Sequence, residues 1–387
     1  MHGVSSSITT AFLDEERATL ERFMPGFDGL LAQTPLHELE ASDSGAIEMF
    51  RDAAGPGLLV PADQEGLGAD AHEAIRVQRA IGARCPSLAV ASTMHHFSVA
   101  SLLEVHKAGG EFEWLLLEAI ATERRLVASG FAEGMPGQGV LAPTMRARRD
   151  GTLLRVSGAK QPCSLSRSMD LLTASVLIED GDGAGSEELA VAVIASDAPG
   201  IEVRPFWEAP VLTGAQSDAV VLTDVPVEED LLVRLDSRGD GGIDEVHAVG
   251  FVWFELLITA SYLGMASALV EKALAKGGTA TPGAVAAAVE IEASMAALDG
   301  LAGRLEIGAS DPSLLWRALA GRYAAQDAIN RAVATAVEAL GGMGFIKSPD
   351  VPYLASASRA LAFHPPSRTR TTDPLADALK GGELAIE

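Results

Sequence analysis

One long apolar stretch constrains the fold more than any other feature of the sequence. Residues 248–270 carry a single charged side chain, Glu255, among apolar, small and aromatic residues. A helix that is apolar on all faces must be surrounded by protein or by lipid. The stretch is long enough to span a bilayer, but its ionisable residue, its small polar residues and the lack of a basic flank favour a buried helix. We therefore predict the central helix of a helical bundle, and no membrane span.

Glu255 needs an explanation of its own, because an unpaired buried carboxylate is costly. One interpretation is structural, with a partner arginine or a capping role for the carboxylate. The other is catalytic, since burial raises the pKa of a carboxylate and makes it a better base near neutral pH. The sequence alone leaves both open.

The charge balance limits the classes of partner. The chain has 387 residues, of which 48% are hydrophobic, so it can build a large core in two or three domains. Its 29 Lys and Arg residues stand against 53 Asp and Glu residues, a formal net charge of −24. This balance argues against binding to nucleic acid or to an anionic membrane surface. A local basic pocket for one phosphorylated ligand remains compatible with it.

Cysteine and histidine usage indicates neither disulfides nor a metal site. Cys85 and Cys163 lie far apart, and no zinc-ligand spacing is present. His95 and His96 are adjacent, but neighbours in sequence point to different faces of a helix. The first residues lack a basic segment followed by an apolar core, so we expect a cytoplasmic protein.

The pattern of apolar residues changes twice along the chain. Residues 1–125 are typical of helices, residues 126–235 of short strands and turns, and residues 243–387 of helices again. Asp150-Gly151 lies between two short alternating segments, which is a hairpin signal. We predict a mostly α protein with a central antiparallel β domain. Its parts are an N-terminal helical domain, a small β-barrel and a C-terminal four-helix bundle.

Several short motifs occur in an order that resembles the acyl-CoA dehydrogenase family, and the resemblance covers nearly the whole chain. Each motif is weak alone, and their order and spacing carry the resemblance. They are Gly57-Leu-Leu-Val-Pro61 with Gly66-Leu-Gly68, Phe131-Ala-Glu-Gly-Met-Pro-Gly137, Val156-Ser-Gly-Ala-Lys160 with Ser164, Pro199-Gly-Ile201, Gly214 with Ser217, Val225-Pro-Val-Glu-Glu-Asp-Leu-Leu232, and Ala336-Val-Glu-Ala-Leu-Gly-Gly-Met-Gly-Phe345.

The resemblance implies an FAD cofactor between the β domain and the helical bundle. It also implies an acyl-CoA or acyl-carrier-protein thioester as substrate, with a proton lost from the α carbon and a hydride passed to the flavin. A carboxylate whose pKa is raised by desolvation suits the proton transfer. An electron-acceptor flavoprotein would reoxidise the cofactor, and the family analogy suggests a homotetramer or dimer, or a hetero-oligomer.

The same resemblance assigns cofactor-binding roles to individual residues. Phe131 and Ala132 would line the flavin ring, and Ser164 matches a Thr whose hydroxyl faces the flavin. The other cofactor-binding positions are implied at the flavin phosphates and at a neighbouring subunit's cofactor: Gly137, Gln138, Glu338, Gly341, Gly342 and Ser367.

The chain departs from the family at the catalytic base. The usual C-terminal Glu position is occupied by Pro365. Some family members place the base on the central helix, but Glu255 aligns one residue away from that position, which is about 100° around a helix. His364 is a second candidate base, since an imidazole can act near neutral pH. We therefore take Glu255 and His364 as the candidate catalytic residues.

The chain also departs from the family at the phosphate-binding groups. The segment that begins at Lys276 replaces an Arg-x-x-Phe-Gly motif, and Glu338 replaces a Gln. Three hypotheses follow. The first is an acyl-thioester dehydrogenase with a diverged site. The second is a flavin monooxygenase or oxidase of the same fold, and the third is a catalytically silent subunit of a hetero-oligomeric dehydrogenase.

Overall fold

The computed structural model describes residues 11–109, 112–134, 143–179, 187–234, 245–307, 313–382 and 384. Helices precede and follow a group of eight strands. The first helices are α1 (Asp14–Phe23), α2 (Phe27–Gln33), α3 (Leu36–Leu39), α4 (Ala46–Asp52), α5 (Ala71–Arg84), α6 (Pro86–Lys107) and α7 (Glu113–Thr122). The last are α8 (Glu245–Ala275), α9 (Pro282–Ile307), α10 (Leu314–Lys347), α11 (Asp350–Ala357) and α12 (Thr372–Leu379). The predicted helical regions at both ends are confirmed.

The long apolar stretch forms the central helix, as predicted. Helix α8 packs against α5, α6, α9, α10 and α11. The stretch Ala248–Gly278 is long and apolar enough to cross a membrane, and 94% of its most apolar window is buried inside the protein. Neighbouring helices therefore cover the apolar surface of α8 on nearly all sides.

Two glycines allow α5 and α8 to approach each other closely. A Cβ atom at Gly82 would lie 2.2 Å from the carbonyl oxygen of Ser261, and one at Gly264 would lie 2.3 Å from that of Arg79. Carbon and oxygen atoms do not approach so closely, so any larger residue would push the helices apart. The backbones of α5 and α8 are therefore in direct contact at this crossing.

The strands form one mixed sheet, and the prediction of a small antiparallel barrel is wrong. The strands are β1 (Val127–Gly130), β2 (Arg146–Asp150), β3 (Leu153–Cys163), β4 (Leu171–Glu179), β5 (Glu187–Ala195), β6 (Ile201–Arg204), β7 (Asp218–Glu228) and β8 (Leu232–Arg234). Their order is β6-β7-β3-β2-β4-β5-β8, and β1 also pairs with β4. Strands β1 and β2 both run parallel to β4.

The sheet is open because the two end strands that the structure describes, β6 and β8, do not pair with each other. Among the described strands, β6 pairs with β7 and β8 with β5, and no ladder joins β6 to β8. Short strands with turns are equally typical of open and closed sheets, so the sequence pattern did not decide this point. The predicted hairpin is confirmed, since Asp150 pairs with Leu153 across Gly151.

Helix α10 continues past Gly341, although paired glycines such as Gly341 and Gly342 commonly end a helix. Gly341 has φ 69° and ψ 170°, and the chain returns to helical geometry and continues to Lys347. Glycine tolerates this positive φ without a Cβ clash. The Lys276 ammonium donates to the carbonyls of Ala339 (3.0 Å) and Leu340 (2.7 Å), which lie just before the break. The glycine therefore bends the helix, and a lysine that directly follows α8 binds the carbonyls at the bend.

The adjacent histidines of α6 are both buried, but their surroundings differ. His95 Nε2 lies 2.9 Å from the carbonyl oxygen of Pro56, and its Nδ1 accepts a hydrogen bond from Val127 N at 3.0 Å. Burial lowers the pKa of His95 to about 4. His96 is 0% exposed, contacts the edge of Phe50, and has no hydrogen-bond partner among the described residues. Burial lowers the pKa of His96 well below its usual value.

We predict that His96 makes the folded state sensitive to acid. The unfolded chain binds a proton at this residue below about pH 6.5, whereas the folded chain does not. Stability is therefore lost as pH falls below that value, at up to about 1.4 kcal/mol per pH unit. His96→Leu should flatten the dependence of the free energy of unfolding on pH between pH 6.5 and 5. Urea unfolding at a series of pH values measures this, with His37→Leu on the exposed surface as control. Equal slopes in the wild type and His96→Leu would contradict the prediction.

Candidate active site

A cavity of about 380 Å³ lies between the sheet and the helices. Strand ends and loops of the sheet form one wall, and α6, α8 and the segment after α11 form the other. Four of the residues predicted for the site line it together, namely Phe131, Ala132, Ser164 and His364. The other lining residues are Val90, Met94, Phe97, Ser129, Glu133, Gly134, Pro162, Trp207, Leu212, Ser217, Phe251, Phe254, Tyr262, Ala360, Phe363 and Pro365.

Two hydroxyl groups lie side by side on the sheet wall. Strand β3 ends at Cys163, strand β7 begins at Asp218, and these two residues are paired. The register therefore brings together the residues just outside the two strands, Ser164 and Ser217. Their Oγ atoms are 3.0 Å apart and both residues line the cavity. This pair offers hydrogen bonds at one edge of an otherwise largely apolar space.

A buried ion pair supports the same wall. Lys160 Nζ donates to Glu133 Oε1 at 2.8 Å and to Ser175 Oγ at 2.9 Å. Glu133 also accepts hydrogen bonds from the backbone and hydroxyl of Thr144. Burial opposes ionisation of Glu133, but the bonds from Lys160 and Thr144 outweigh it and lower its pKa to about 2. The carboxylate is therefore ionised and already neutralised, which makes it a poor proton acceptor.

A tyrosine and a histidine face each other on the helix wall. Tyr262 Oη of α8 lies 2.9 Å from His364 Nε2, and Phe254 contacts the same imidazole edge to face. Although the imidazole faces the cavity, desolvation, together with the charge of the nearby Arg322, lowers the pKa of His364 to about 3. Burial raises the pKa of Tyr262. Both groups are therefore neutral near pH 7, and they form the polar centre of an aromatic wall.

Glu255 is not among the residues that line the cavity. It is 1% exposed, and its Oε2 lies 2.9 Å from Nε of Arg322, which is 2% exposed. The two atoms are within ion-pair distance, although the N–H does not point at the oxygen as in a hydrogen bond. Burial raises the pKa of Glu255 to about 7, against the lowering effect of Arg322. The arginine partner is the structural alternative that the sequence left open, and the role of Glu255 as a base stays a prediction.

The remaining predicted residues do not join this cavity. Gly341 and Gly342 line a separate, more open cavity of about 630 Å³ near Lys272 and Lys276. Glu338 is exposed on α10, and the Ser367 hydroxyl lies 3.2 Å from that of Thr369. Gly137 and Gln138 lie outside the described residues. Within one chain, two cavities therefore hold some of the predicted residues, and Glu255, Glu338 and Ser367 line neither of them.

Sequence reasoning missed several residues of the site. Tyr262 and Phe254 lie within the apolar stretch that was interpreted only as core, although Tyr262 is the one tyrosine of that stretch. Arg322 lies on α10 in a segment with no recognisable motif. Ser217 was quoted within a motif without a role. A polar aromatic residue inside an otherwise apolar helix is a signal that could have identified Tyr262.

The cavity suits a flat aromatic ring with one polar edge, as a flavin has. Ser129, Ser164 and Ser217 place hydroxyl groups on the sheet wall, while Phe131, Pro162 and Trp207 provide flat apolar surfaces. Gly134, with φ 67°, lies against Gln161, so that a Cβ atom there would lie 3.0 Å from the Gln161 side chain. These residues would hold the ring, and the helix wall would face a substrate.

A comparison with known proteins agrees with this geometry. The chain is 43% identical over 379 residues to isobutylamine N-hydroxylase of Streptomyces viridifaciens, which covers 97% of this chain and 99% of that protein. It is also 27% identical over 225 residues to YdbM of Bacillus subtilis (strain 168), whose name assigns it provisionally to the acyl-CoA dehydrogenases. That match covers 57% of this chain and 55% of YdbM. The chain belongs to the acyl-CoA dehydrogenase-like flavoprotein family. No protein-family profile matches it.

A solved structure shows the same fold at low sequence identity. The structure of TdsC from Paenibacillus sp. A11-2 with FMN and indole aligns with a TM-score of 0.81 at 16% identity, covering 96% of this chain and 99% of TdsC. The chain is thus similar in sequence to a hydroxylase and shares its fold with a protein whose structure contains FMN. This protein is a flavin-dependent oxidoreductase of the acyl-CoA dehydrogenase fold.

We predict that Lys160 stabilises the flavin wall through Glu133. Lys160→Met removes the ammonium partner of a buried carboxylate, which should cost about 3 kcal/mol, because Thr144 still bonds the carboxylate. The affinity for flavin should fall together with the stability of this variant, since Glu133 lines the cavity. Urea unfolding and a flavin fluorescence titration measure the two effects. Lys107→Met is the matched control, since its pair with Glu104 is exposed and should contribute about 1 kcal/mol or less. An unchanged stability of Lys160→Met would show that the pair does not support this wall.

Proposed function

We propose that this protein is a flavin-dependent monooxygenase that hydroxylates the nitrogen of a small aliphatic amine. One observation carries the proposal. The family's usual base position holds Pro365, and the carboxylates at and behind the cavity, Glu133 and Glu255, are bound by Lys160 and Arg322. The removal of a proton from the α carbon of a thioester needs a free base, whereas oxygen transfer to an amine does not. The similarity to isobutylamine N-hydroxylase over nearly the whole chain supports the amine substrate.

The chemistry of the helix wall suits an uncharged amine. An amine reacts through its lone pair, which an ammonium ion does not have. Phe97, Phe251 and Phe254 surround the Tyr262–His364 pair with apolar surface, which disfavours a cation without a counter-charge. A neutral His364 and a neutral Tyr262 can hydrogen bond to an uncharged amine and orient its nitrogen. Because burial keeps the pKa of His364 near 3, the imidazole orients the substrate rather than storing a proton.

When bound and reduced, the flavin would supply two electrons for the reaction with O₂. One oxygen atom would be added to the amine nitrogen, and the other would leave as water with two protons. This chain's residues bind and orient the reactants and keep bulk water away from them. A cavity of about 380 Å³ must hold the ring and the substrate together, so the substrate is small. We infer that the reducing equivalents come from a separate reductase, as the monooxygenase hypothesis requires.

The decisive experiment compares two substrates on one preparation. The heat-released extract is first compared with FAD and FMN, since the sequence predicts FAD and TdsC was crystallised with FMN. Reduced flavin, air and isobutylamine should then yield an N-hydroxylamine by mass spectrometry, while an acyl-CoA should leave oxidised flavin unbleached. Bleaching by the acyl-CoA without a hydroxylamine would restore the dehydrogenase hypothesis. Failure to bind any flavin would favour the silent subunit.

We predict that His364 is required for turnover and not for flavin binding. His364→Ala removes the imidazole from the helix wall and leaves Ser164, Ser217 and Phe131 unchanged. The turnover number should fall about 10²-fold, the lower range for loss of a positioned acid–base or hydrogen-bonding group, with flavin affinity within twofold of the wild type. Steady-state oxygen consumption coupled to hydroxylamine formation measures this. His37→Ala is the control, and equal rates for the wild type and His364→Ala would exclude His364 from the site.

A further inference from the structure

We propose that Arg322, with Glu255 as its counter-ion, is a positioning residue that holds the backbone of residues 364–366 and thereby sets the imidazole of His364 in the cavity. The effect on turnover rests on the proposed function, whereas the positioning itself does not. Neither Arg322 nor Glu255 is among the residues that line the cavity. Both act through the segment that carries His364.

The contacts of Arg322 converge on this segment. Its Nη1 donates to the carbonyl oxygens of His364 (3.3 Å) and Pro365 (3.1 Å), and its Nη2 donates to that of Pro366. Nη2 also donates to the Tyr323 hydroxyl at 3.3 Å, which in turn donates to the carbonyl of Pro366 at 3.0 Å. One buried guanidinium therefore binds three successive carbonyls.

The segment needs such support because of its composition. Pro365 and Pro366 have no N–H group, so they cannot donate to a helix or a strand. Their carbonyls still require hydrogen-bond donors where they are buried. Arg322 supplies these donors from α10, a helix outside the segment. Because the three donors belong to one planar group, the three carbonyls are held in one fixed arrangement.

Glu255 completes the arrangement from the opposite side. A guanidinium buried without a counter-charge is costly, and the carboxylate of α8 lies 2.9 Å from its Nε. Tyr262, which contacts His364 Nε2, lies seven residues further along the same helix, about two turns from Glu255. Helix α8 therefore contacts His364 directly through Tyr262 and Phe254, and indirectly through the Glu255–Arg322 pair.

The two roles of Glu255, base and counter-ion, lead to different expectations for Glu255→Gln. As a proton-abstracting base, it would be indispensable, and Glu255→Gln would abolish turnover. As the counter-ion of Arg322, it can be replaced by an amide that keeps its shape and its oxygen. We therefore expect Glu255→Gln to keep turnover within about tenfold of the wild type, because one charge-assisted contact is weakened and no reacting group is lost.

The test removes both charges together. Loss of one partner of a buried pair is strongly destabilising, while apolar replacement of both is often tolerated. The double variant Glu255→Leu with Arg322→Met should therefore fold and bind flavin as the wild type does, but it leaves the three carbonyls unheld. We expect diethylpyrocarbonate to modify His364 several times faster in the flavin-free protein, as measured by mass spectrometry. The turnover number should fall about 10²-fold with a smaller change in KM, the effect of displacing a positioned group by about 1 Å.

The matched control removes another ion pair of the same helix. Arg331 of α10 pairs with Glu290 of α9 on the exposed surface, away from residues 364–366. Arg331→Met with Glu290→Leu should change neither the modification rate of His364 nor turnover. If the double variant at positions 255 and 322 does not purify as a folded protein, Arg322→Lys serves for the same measurement. It keeps the charge opposite Glu255 but cannot bind three carbonyls.

The modification rate decides the proposal independently of activity. A faster modification of His364 in the variant, but not in the control, supports the positioning role. An unchanged rate overturns it, whatever the turnover. If the wild-type protein hydroxylates no amine, the proposed function fails, while the modification rates still decide whether Arg322 holds this segment.

Discussion

The enclosure of α8 by protein on all sides is the constraint on which the rest of the structure depends. A helix of 31 residues with almost no polar surface needs neighbours around its whole circumference. Helices α5 and α6 come from the N-terminal region, and α9, α10 and α11 from the C-terminal region, so burial of α8 joins the two ends of the chain. Gly82 and Gly264 bring α5 into backbone contact with it. The same helix then presents Phe251, Phe254 and Tyr262 to the cavity.

Burial of so much apolar surface leaves charges in places where water cannot solvate them, and each is matched by a partner. Arg79 of α5 is neutralised by Glu16 and Glu292, Lys160 by Glu133, and Arg322 by Glu255. Such pairs contribute little net stability, since the cost of desolvation offsets their attraction. These ion pairs instead determine which side chains can interact with a substrate. At the cavity and behind it, each described carboxylate has a cationic partner, so the groups left to meet a substrate are neutral hydroxyls, an imidazole and aromatic rings.

The sequence predicted the parts of the fold that depend on local pattern. The helical regions at both ends of the chain were predicted from their apolar pattern, and the Asp150-Gly151 turn forms the predicted hairpin. Features that depend on distant pairing were not accessible in this way. Closure of the sheet depends on whether β6 meets β8, which no local pattern reports. The bend at Gly341 depends on Lys276, which lies 65 residues earlier in the chain. Of the site, Phe131, Ala132, Ser164 and His364 were found through motifs, whereas Arg322 was missed because its partners are backbone carbonyls that carry no sequence signal.

The fold alone does not determine which reaction the site performs, because the same helices and flavin cavity serve different chemistries within this family. The difference lies in a few positions around the substrate. Where the resemblance to the dehydrogenases predicts a glutamate, this chain has Pro365, which has neither a carboxylate nor a backbone N–H. The carbonyl oxygens of this segment are bound instead by Arg322 of α10. Its charge requires Glu255, which is thereby withdrawn from the cavity. Pro365 and Glu255 are thus both linked to one arginine, and the polar groups on the helix wall of the cavity, Tyr262 and His364, are neutral, which suits the proposed amine substrate.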